Sequence, residues 1–341
     1  MARSVTTYSA KWNLGETKVI RVPAVIADQI LDYARAIDSA ADSTAKVAEP
    51  VKSPDFVLER DKPVNVAKVP LRSPFRYPGG KTWLVPYVRK WLASLPTLPS
   101  YFVEPFAGGG IVSLTVAFEE YAEHTFIAET EPGVRAVWMT ILSGQAEWLA
   151  DRILSFELTE DNVRKILDRD SNQDKASLRE KAFATIVRNR VQRGGILAPG
   201  AGLVKVGEKG KGLRSRWYPA TLAKRIREIN QVRSRISFFP DDGFDLIEDF
   251  SGEESAAVFI DPPYTKAGRR LYSHWEIDHD ALFEAASRIR GDFLLTYDDC
   301  EEIEALANRH SFEVKRIAMK NTHHQKKFEL MVGRNLDWLP D

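Results

Sequence analysis

Short apolar runs, each followed by a turn-forming residue, recur along the chain from residue 101 onwards. Such runs predict strands that are buried on both faces, as in a parallel sheet covered by helices. The predicted strands are residues 101–104, 125–128, 236–239, 256–261, 293–297, 312–319 and 327–333. Segment 82–95, which precedes the first of these strands, and segments 111–118 and 279–290, which lie between strands, read as helices. The pattern therefore predicts an α/β fold with an open sheet.

The sheet pattern disappears between residues 151 and 235. Helical segments such as 181–190 there give way to a glycine-rich, basic stretch that continues to Gly212. We interpret 151–235 as an inserted, mainly helical domain, with residues 71–150 and 236–341 forming the catalytic domain around it.

The first 70 residues carry a different pattern. Residues 17–23 alternate like a strand and stop at Pro23, and residues 24–37 have apolar positions at helical spacing. This strand and helix, within a predicted module of residues 1–37, resemble half of a ribbon-helix-helix module, which dimerises and binds DNA. A small dimerisation hairpin without a DNA role explains them equally well, and either reading allows a homodimer. Residues 38–70 have little periodicity and are predicted to be a linker.

The composition is that of an ordinary globular protein. The chain has 341 residues, 44% hydrophobic and 28% charged, with a formal net charge of zero. A nucleic-acid surface must therefore be a local patch. Cys300 is the single cysteine, which excludes an internal disulfide framework and argues against a cysteine-based metal site. No apolar run has membrane-spanning length, and no signal peptide is evident. We expect a cytoplasmic protein with neither metal nor membrane partner.

The strand at residues 256–261 ends in Asp261, Pro262, Pro263 and Tyr264. Ligands of open α/β sheets bind at the carboxyl ends of the strands. An amino nitrogen conjugated to a ring is a poor nucleophile, and acceptors placed around its two hydrogens free its lone pair. Asp261 and the carbonyl of Pro262 can supply those acceptors, while Tyr264 offers a stacking face. The alternative interpretation is a stiff turn after a core strand.

Two further stretches carry ligand-binding chemistry. Residues 104–110 place glycines between a strand and a helix, where a cofactor can contact backbone at the helix N-terminus. The glycine spacing typical of nicotinamide enzymes is absent. Glu129 follows the next strand and suits the ribose hydroxyls of an adenosine-containing cofactor. Both Glu129 and Glu131 are also explained as a solvated helix start before Pro132.

Three segments in this order, 75–81 (FRYPGGK), 102–110 (FVEPFAGGG) and 261–264 (DPPY), resemble the signature motifs of the Dam-type, alpha-group DNA adenine-N6 methyltransferases. The resemblance covers residues 71–335. It implies an S-adenosylmethionine-dependent, Rossmann-like fold with a seven-stranded sheet whose two late strands form an antiparallel pair. It also implies a target-recognition domain between the second and third motifs.

The resemblance also implies site residues. Tyr77 and Lys81 would line the methyl-donor site, Glu129 would hold its ribose, and Asp261 would join the donor site to the target base. The residues expected around the methionine part are Glu104, Phe106, Gly108 and Gly110. Asp242 and Phe244 match the aspartate–aromatic pair expected beside the donor's adenine ring, although Asp241 competes with Asp242. The family often has Asp where Glu104 and Glu129 stand.

Positive charge concentrates in the predicted recognition domain. Residues 188–235 contain 13 Lys or Arg and two acids, Glu208 and Glu228. This local excess predicts phosphate contact, and a solvated basic surface is the alternative. The candidate DNA-binding residues here are Arg188, Arg190, Arg193, Arg214, Arg216, Trp217 and Tyr218. A second basic loop, after Tyr264, adds Lys266, Arg269 and Arg270.

The hypothesis from the sequence is an adenine-N6 methyltransferase that uses S-adenosylmethionine and flips its target out of double-stranded DNA. Methylation of another amino group, such as cytosine N4 or RNA adenine, stays open. A DNA-binding regulator whose methyltransferase domain has decayed is the alternative from a different class.

Overall fold

The computed structural model describes residues 58–59, 61–76, 80–171, 176–197, 201–207, 210–240, 242–263, 277–320 and 326–339. The chain divides after Asp55 into two compact units, and all described residues belong to the second. The predicted N-terminal module of residues 1–37 lies outside the described residues, as does the part of the predicted linker up to residue 57.

Seven strands form one sheet in the order β3-β2-β1-β4-β5-β7-β6. Their bounds are β1 Tyr101–Glu104, β2 His124–Ala128, β3 Ile236–Phe239, β4 Ala256–Ile260, β5 Asp292–Asp298, β6 Glu313–Lys320 and β7 Lys326–Gly333. Strand β7 runs antiparallel to both β5 and β6, and the remaining pairs are parallel. The predicted α/β fold and its antiparallel late pair are confirmed.

Helices are present at the predicted segments 82–95, 111–118 and 279–290. Their bounds are α1 Val85–Ser94, α2 Ile111–Glu119, α3 Pro132–Thr140, α4 Ala146–Ser155, α5 Glu160–Ser171, α6 Leu178–Val191, α7 Pro219–Gln231, α8 Gly243–Ser251, α9 His279–Arg288 and α10 Glu301–Arg309. The short 3₁₀ segments Lys81–Leu84 and Gly212–Arg216 precede α1 and α7. None of the helices in the described part of the chain combines the length and apolarity needed to cross a membrane.

Strand β4 is the centre of the core. All five of its side chains are buried, and it pairs in parallel with β1 on one side and β5 on the other. Because strand side chains alternate between faces, Val258 packs with α8, α9 and α10, whereas Phe259 packs with α1 and α2. Proline cannot continue this ladder, so the strand ends just before Asp261.

The helices of the predicted recognition domain pack on the catalytic domain through one apolar cluster. Trp138 of α3 shares this cluster with Ile186 of α6 and Ile226 of α7. The predicted boundary at residue 150 falls inside α4, and Val69, near the end of the predicted linker, is buried in another cluster. Packing therefore extends across both predicted boundaries.

Candidate active site

Asp261 lies at the carboxyl end of β4, beside the end of β1. Strand β1 connects towards β2 on one side, and the chain later returns to place β4 on its other side. The gap between β1 and β4 is therefore the topological switch point, where open α/β sheets bind ligands. The Asp261 side chain is 21% exposed, so solvent reaches it.

A buried lysine connects Asp261 to a second carboxylate. Lys81 Nζ lies 2.7 Å from Glu329 Oε2 and 3.3 Å from Asp261 Oδ1. The hydroxyl of Thr296 donates to the same Oδ1 atom at 2.9 Å. Both contacts use Oδ1, which leaves Oδ2 of Asp261 without a partner among the described residues. This set of four side chains is called the Lys81 network below.

Lys81 is the one cation of the Lys81 network and faces two carboxylates. Burial raises the pKa of Asp261 to about 6, Lys81 opposes this rise, and Glu329 adds to it. Burial disfavours the charged form of Lys81, but the two carboxylates outweigh it and raise the Lys81 pKa. Asp261 is therefore ionised at neutral pH and can accept a hydrogen bond.

Glu104 ends β1 and is buried against the start of α2. Its Oε2 accepts hydrogen bonds from the backbone N–H of Ser113, at 2.9 Å, and from the Ser113 hydroxyl. Glu104 is 3% exposed, and burial is the largest cause that raises its pKa to about 8, with nearby Asp261 contributing. In the ligand-free protein this carboxyl is therefore largely protonated at neutral pH.

The glycine turn after β1 is shaped by positive backbone angles and by Trp138. Gly108 and Gly110 have φ angles of 48° and 60°, which favour glycine. The indole N–H of Trp138 donates to the carbonyl of Gly108 at 3.0 Å, and a Cβ at Gly110 would lie 2.7 Å from the Trp138 ring. Sequence reasoning missed this support, because Trp138 is 28 residues further along the chain.

Glu129 and Glu131 have different environments at the end of β2. Glu131 is the N-cap of α3 and accepts from Val134 N at 2.6 Å, so the helix-start interpretation is correct for this residue. Glu129 accepts from the backbone N–H of Glu131 at 2.8 Å, and burial raises its pKa to about 7. A role for Glu129 with ribose stays a prediction.

The start of α8 packs on the turn that follows β1. Asp242 is the N-cap of α8 and accepts from Phe244 N at 2.9 Å. The ring of Phe244 meets the ring of Phe106 edge to face, with centroids 6.3 Å apart. A Cβ on Gly243 would lie 2.4 Å from the carbonyl oxygen of Pro105, so this approach requires glycine. Phe244 is thereby placed next to the turn that follows β1, and a role for Asp242 and Phe244 beside the donor's adenine ring stays a prediction.

The predicted DNA-binding residues separate into exposed and buried groups. Arg193, Arg214 and Tyr218 are exposed, and Arg188 and Arg216 are half-buried. Arg190 departs from the expected exposure: it is only 5% exposed, because nearly every residue of α6 after Lys181 is buried. The expectation that the Arg190 side chain is free to reach bases is therefore wrong. Trp217 is half-buried and packs against Phe156 with ring centroids 5.7 Å apart, and its contact with DNA stays a prediction.

Several basic residues of segment 188–235 pair with acids instead of forming a free patch. Arg227 contacts Glu147 at 2.8 Å and Asp151 at 2.7 Å, and Arg235 contacts Glu120 at 3.0 Å. The solvated-surface interpretation describes Arg227 and Arg235 well.

Some predicted site residues lie outside the described residues. They are Tyr77, Asp241, Tyr264, Lys266, Arg269 and Arg270. Among the residues that the structure does describe, no group of three or more His, Cys, Asp or Glu side chains could hold a metal ion.

Three carboxyl groups at the carboxyl ends of β1, β2 and β4 could become partners of a bound cation. Glu104, Glu129 and Asp261 all belong to this edge of the sheet, and burial raises the pKa of each. A bound cation would lower all three pKa values and make the carboxylates its partners. The residues present therefore fit S-adenosylmethionine, whose sulfonium and ammonium groups are positively charged. Sequence reasoning missed two residues that complete the site, Glu329 and Thr296. The available signal for Glu329 was its position as the lone acid in the apolar run 328–332.

Solved structures with a similar fold are methyltransferases of several kinds. The rRNA methyltransferase AviRa from Streptomyces viridochromogenes is 13% identical, with a TM-score of 0.32 over 75% of this chain and 85% of that chain. The tRNA methyltransferase TrmK from B. subtilis is 10% identical, with a TM-score of 0.33 over 74% and 66%. A precorrin-6y C5,15-methyltransferase from Geobacter metallireducens is 9% identical, with a TM-score of 0.31 over 72% and 85%.

These similarities do not by themselves assign a substrate. All three TM-scores are below 0.5, and the three proteins are an rRNA, a tRNA and a precorrin methyltransferase. No protein-family model and no curated protein matches the chain. Function must therefore be argued from the site.

Proposed function

We propose that this protein is an S-adenosylmethionine-dependent methyltransferase that acts on adenine N6 in double-stranded DNA. The observation that carries the proposal is the position of Asp261 and Pro262. They end the central strand at the topological switch point, beside buried Glu104 and with one carboxylate oxygen held by Lys81 and Thr296.

The target end of the site would be formed by Asp261 and Pro262. Oδ2 of Asp261 can accept one N–H of an exocyclic amine, and the carbonyl of Pro262 can accept the other. Both bonds draw the nitrogen towards tetrahedral geometry and make its lone pair available. Lys81 and Thr296 hold the carboxylate in place, so little reorganisation is needed when the base arrives.

The donor end of the site would be formed by the glycine turn and the acidic residues around it. When bound, S-adenosylmethionine supplies an activated sulfonium methyl, so positioning is the main task of the protein. Glu104 and Glu129 would contact the polar parts of the donor, and Phe244 would pack on its adenine ring. The methylated nitrogen must lose one proton, and Asp261, with a pKa of about 6, can pass it to solvent.

The choice of adenine in DNA depends on the motif resemblance. Segments 75–81, 102–110 and 261–264 occur in the order found in the Dam-type enzymes. The basic segment 188–235 lies between the second and third of them, where that family has its target-recognition domain. These two points favour DNA adenine over the other amino groups considered above.

The Asp261→Asn and Asp261→Ala variants test the catalytic proposal. Asparagine keeps the size of the side chain and the contact of one oxygen with Thr296, but it removes the charge that accepts the amine N–H. We expect both variants to lose at least about 100-fold in methylation rate, as for other groups that act on the transition state. Donor affinity should change little. Asp249→Asn, an exposed position on α8, is the matched control.

Mass analysis of nucleosides from treated DNA and RNA identifies the acceptor. N6-methyladenine in duplex DNA supports the full proposal. N4-methylcytosine, or methylation confined to RNA, would correct the substrate and keep the enzyme class. Wild-type activity retained by Asp261→Ala would refute the catalytic role of Asp261. A wild-type protein that fails to bind the donor would refute methyl transfer and favour the regulator.

A further inference from the structure

Four arginines from four different segments meet beside the loop formed by residues 73–76. Arg190 comes from α6, Arg225 from α7, Arg216 from the 3₁₀ segment before α7, and Arg76 from the loop itself. The Arg190 guanidinium donates to the carbonyl of Pro74, and Arg225 Nη1 donates to the carbonyl of Ser73 at 3.2 Å. Donation to two consecutive carbonyls brings these two guanidinium groups together. The four residues are called the arginine cluster below.

Three members of the arginine cluster, Arg76, Arg190 and Arg225, are poorly compensated by negative charge from the described residues. Arg190 is 5% exposed, and its Nε atom is buried without a hydrogen-bond partner. Burial lowers the pKa of Arg190 to about 9, and Arg225, Arg76 and Arg216 lower it further. Within the described part of the chain, Arg76, Arg190 and Arg225 form no ion pair. Glu228 is the acid that acts on Arg225, and it also contacts Lys224 at 3.7 Å.

Another buried arginine of this protein, Arg89, shows how a buried guanidinium charge is usually compensated by a carboxylate. Arg89 is 6% exposed and donates twice to the carboxylate of Glu119, at 2.7 and 2.6 Å. Arg72 donates to the same carboxylate at 2.9 Å. Burying a guanidinium without such a partner is costly. An anion from outside the chain would supply the missing charge at the arginine cluster.

The loop that carries Arg76 is held rigidly. Asn189 is fully buried; its Oδ1 accepts from Arg76 N at 2.8 Å, and its Nδ2 donates to Arg76 O and to Gly195 O, both at 2.9 Å. Gly195 has a φ of 77°, and a Cβ there would lie 2.4 Å from Arg76 O. The backbone of Arg76 is therefore held in place before any ligand arrives, which lowers the entropic cost of binding.

The same loop also contacts the candidate active site. Ser73 Oγ donates to the carbonyl of Gly109 in the glycine turn at 2.6 Å. An anion at the arginine cluster would thus lie one loop away from the proposed donor site. In a nucleic-acid substrate, backbone phosphates are the anions available to such a position.

We propose that the arginine cluster binds a single backbone phosphate of the nucleic-acid substrate, next to the target nucleotide. Guanidinium groups suit this task because they donate in pairs to phosphate oxygens. The proposal depends on the proposed function for its substrate class, and it adds Arg76 and Arg225 to the binding surface. It also gives buried Arg190 a role that does not require contact with a base.

The test measures how duplex DNA binding depends on salt. Arg76→Gln and Arg225→Gln remove the more accessible members of the arginine cluster and leave buried Arg190 in place. Each variant should bind a 30-base-pair duplex about tenfold more weakly at 50 mM KCl. Each should also reduce the slope of log affinity against log salt by about one, the change expected for one phosphate contact. The double variant should lose about one in slope, not two, because both residues hold the same phosphate.

Controls separate phosphate binding from folding and from catalysis. Arg233→Gln is the matched control, because Arg233 is exposed and bonds to Asn230 at 2.8 Å. It should leave the slope unchanged. Thermal melting and donor affinity should be close to wild type in all variants, which a purely structural role for Arg76 and Arg225 would not allow.

Each outcome decides the proposal. An unchanged slope in Arg76→Gln and Arg225→Gln overturns it, and so does an equal loss of slope in Arg233→Gln. A loss of slope with an RNA hairpin but not with duplex DNA supports the phosphate site and overturns DNA as its source. Because binding is measured without turnover, a correct phosphate site is recognisable even if the Asp261 variants refute methyl transfer.

Discussion

The buried carboxyl group of Glu104 should make the stability of the ligand-free protein fall as the pH rises. Its pKa is about 8 in the folded protein, against an ordinary value of 4.5. An acid with a raised folded-state pKa binds more protons when folded than when unfolded. Its stabilising contribution is complete below about pH 4.5 and is lost as the pH rises towards 8.

The size of this effect follows from the pKa difference. A change from 4.5 to about 8 corresponds to roughly 5 kcal/mol over the whole range. Linkage places roughly 3 to 4 kcal/mol of this between pH 5 and pH 8. The Glu104→Gln variant keeps the side-chain size and can still accept both hydrogen bonds from Ser113, but it has no proton to lose.

Urea denaturation of wild type and Glu104→Gln at pH 5, 6, 7 and 8 measures the effect. The difference between their free energies of unfolding should change by roughly 3 to 4 kcal/mol across this range, in favour of the variant at high pH. Glu129 and Asp261 titrate in both proteins and largely cancel in the difference. Saturating S-adenosylmethionine should reduce the slope of the wild type, because a cation favours the carboxylate. Parallel pH profiles without ligand would refute the reasoning.

Three further substitutions probe the network, the loop and the turn, each by urea denaturation. Lys81→Met leaves two carboxylates uncompensated and should cost about 3–5 kcal/mol at pH 7.5 and less at pH 5, below the Asp261 pKa of about 6; equal losses would contradict this. Asn189→Leu strips the partners from the Arg76 backbone and should cost about 3 kcal/mol or more; a loss below 1 kcal/mol would show that water replaces them. Gly243→Ala places a Cβ 2.4 Å from a backbone carbonyl and should cost at least about 2 kcal/mol, whereas Gly252→Ala, with nothing within 4 Å, should stay within about 0.5 kcal/mol.

Predictions about local structure depended on signals that lie within a few residues. The run of five apolar residues before Asp261 predicted β4, and the prolines after it predicted where the strand ends. The glycines at 108–110 predicted the turn into α2, and the structure gives two of them positive φ angles. Such signals are readable because burial periodicity and backbone conformation are properties of short segments.

The roles of individual arginines were not readable in this way. Arg188, Arg190 and Arg193 lie within six residues of one another and were all predicted to contact DNA. The structure leaves Arg193 exposed, half-buries Arg188 and buries Arg190 against Pro74. Which face of α6 is covered depends on α3 and on the loop 73–76, and neither is encoded in the sequence of α6 itself.

The sequence by itself determined the order of strands and helices, the glycine turn and the acidic strand ends, because each follows from the chemistry of neighbouring residues. The tertiary structure alone decided that Lys81 meets Glu329, 248 positions away, and that Asn189 holds Arg76 across 113 positions. Pairings over such separations depend on how whole helices and strands pack, since the free energy that fixes them comes from burial shared by many residues. The physical environment of Asp261 is therefore a property of the folded sheet and not of the segment that contains it.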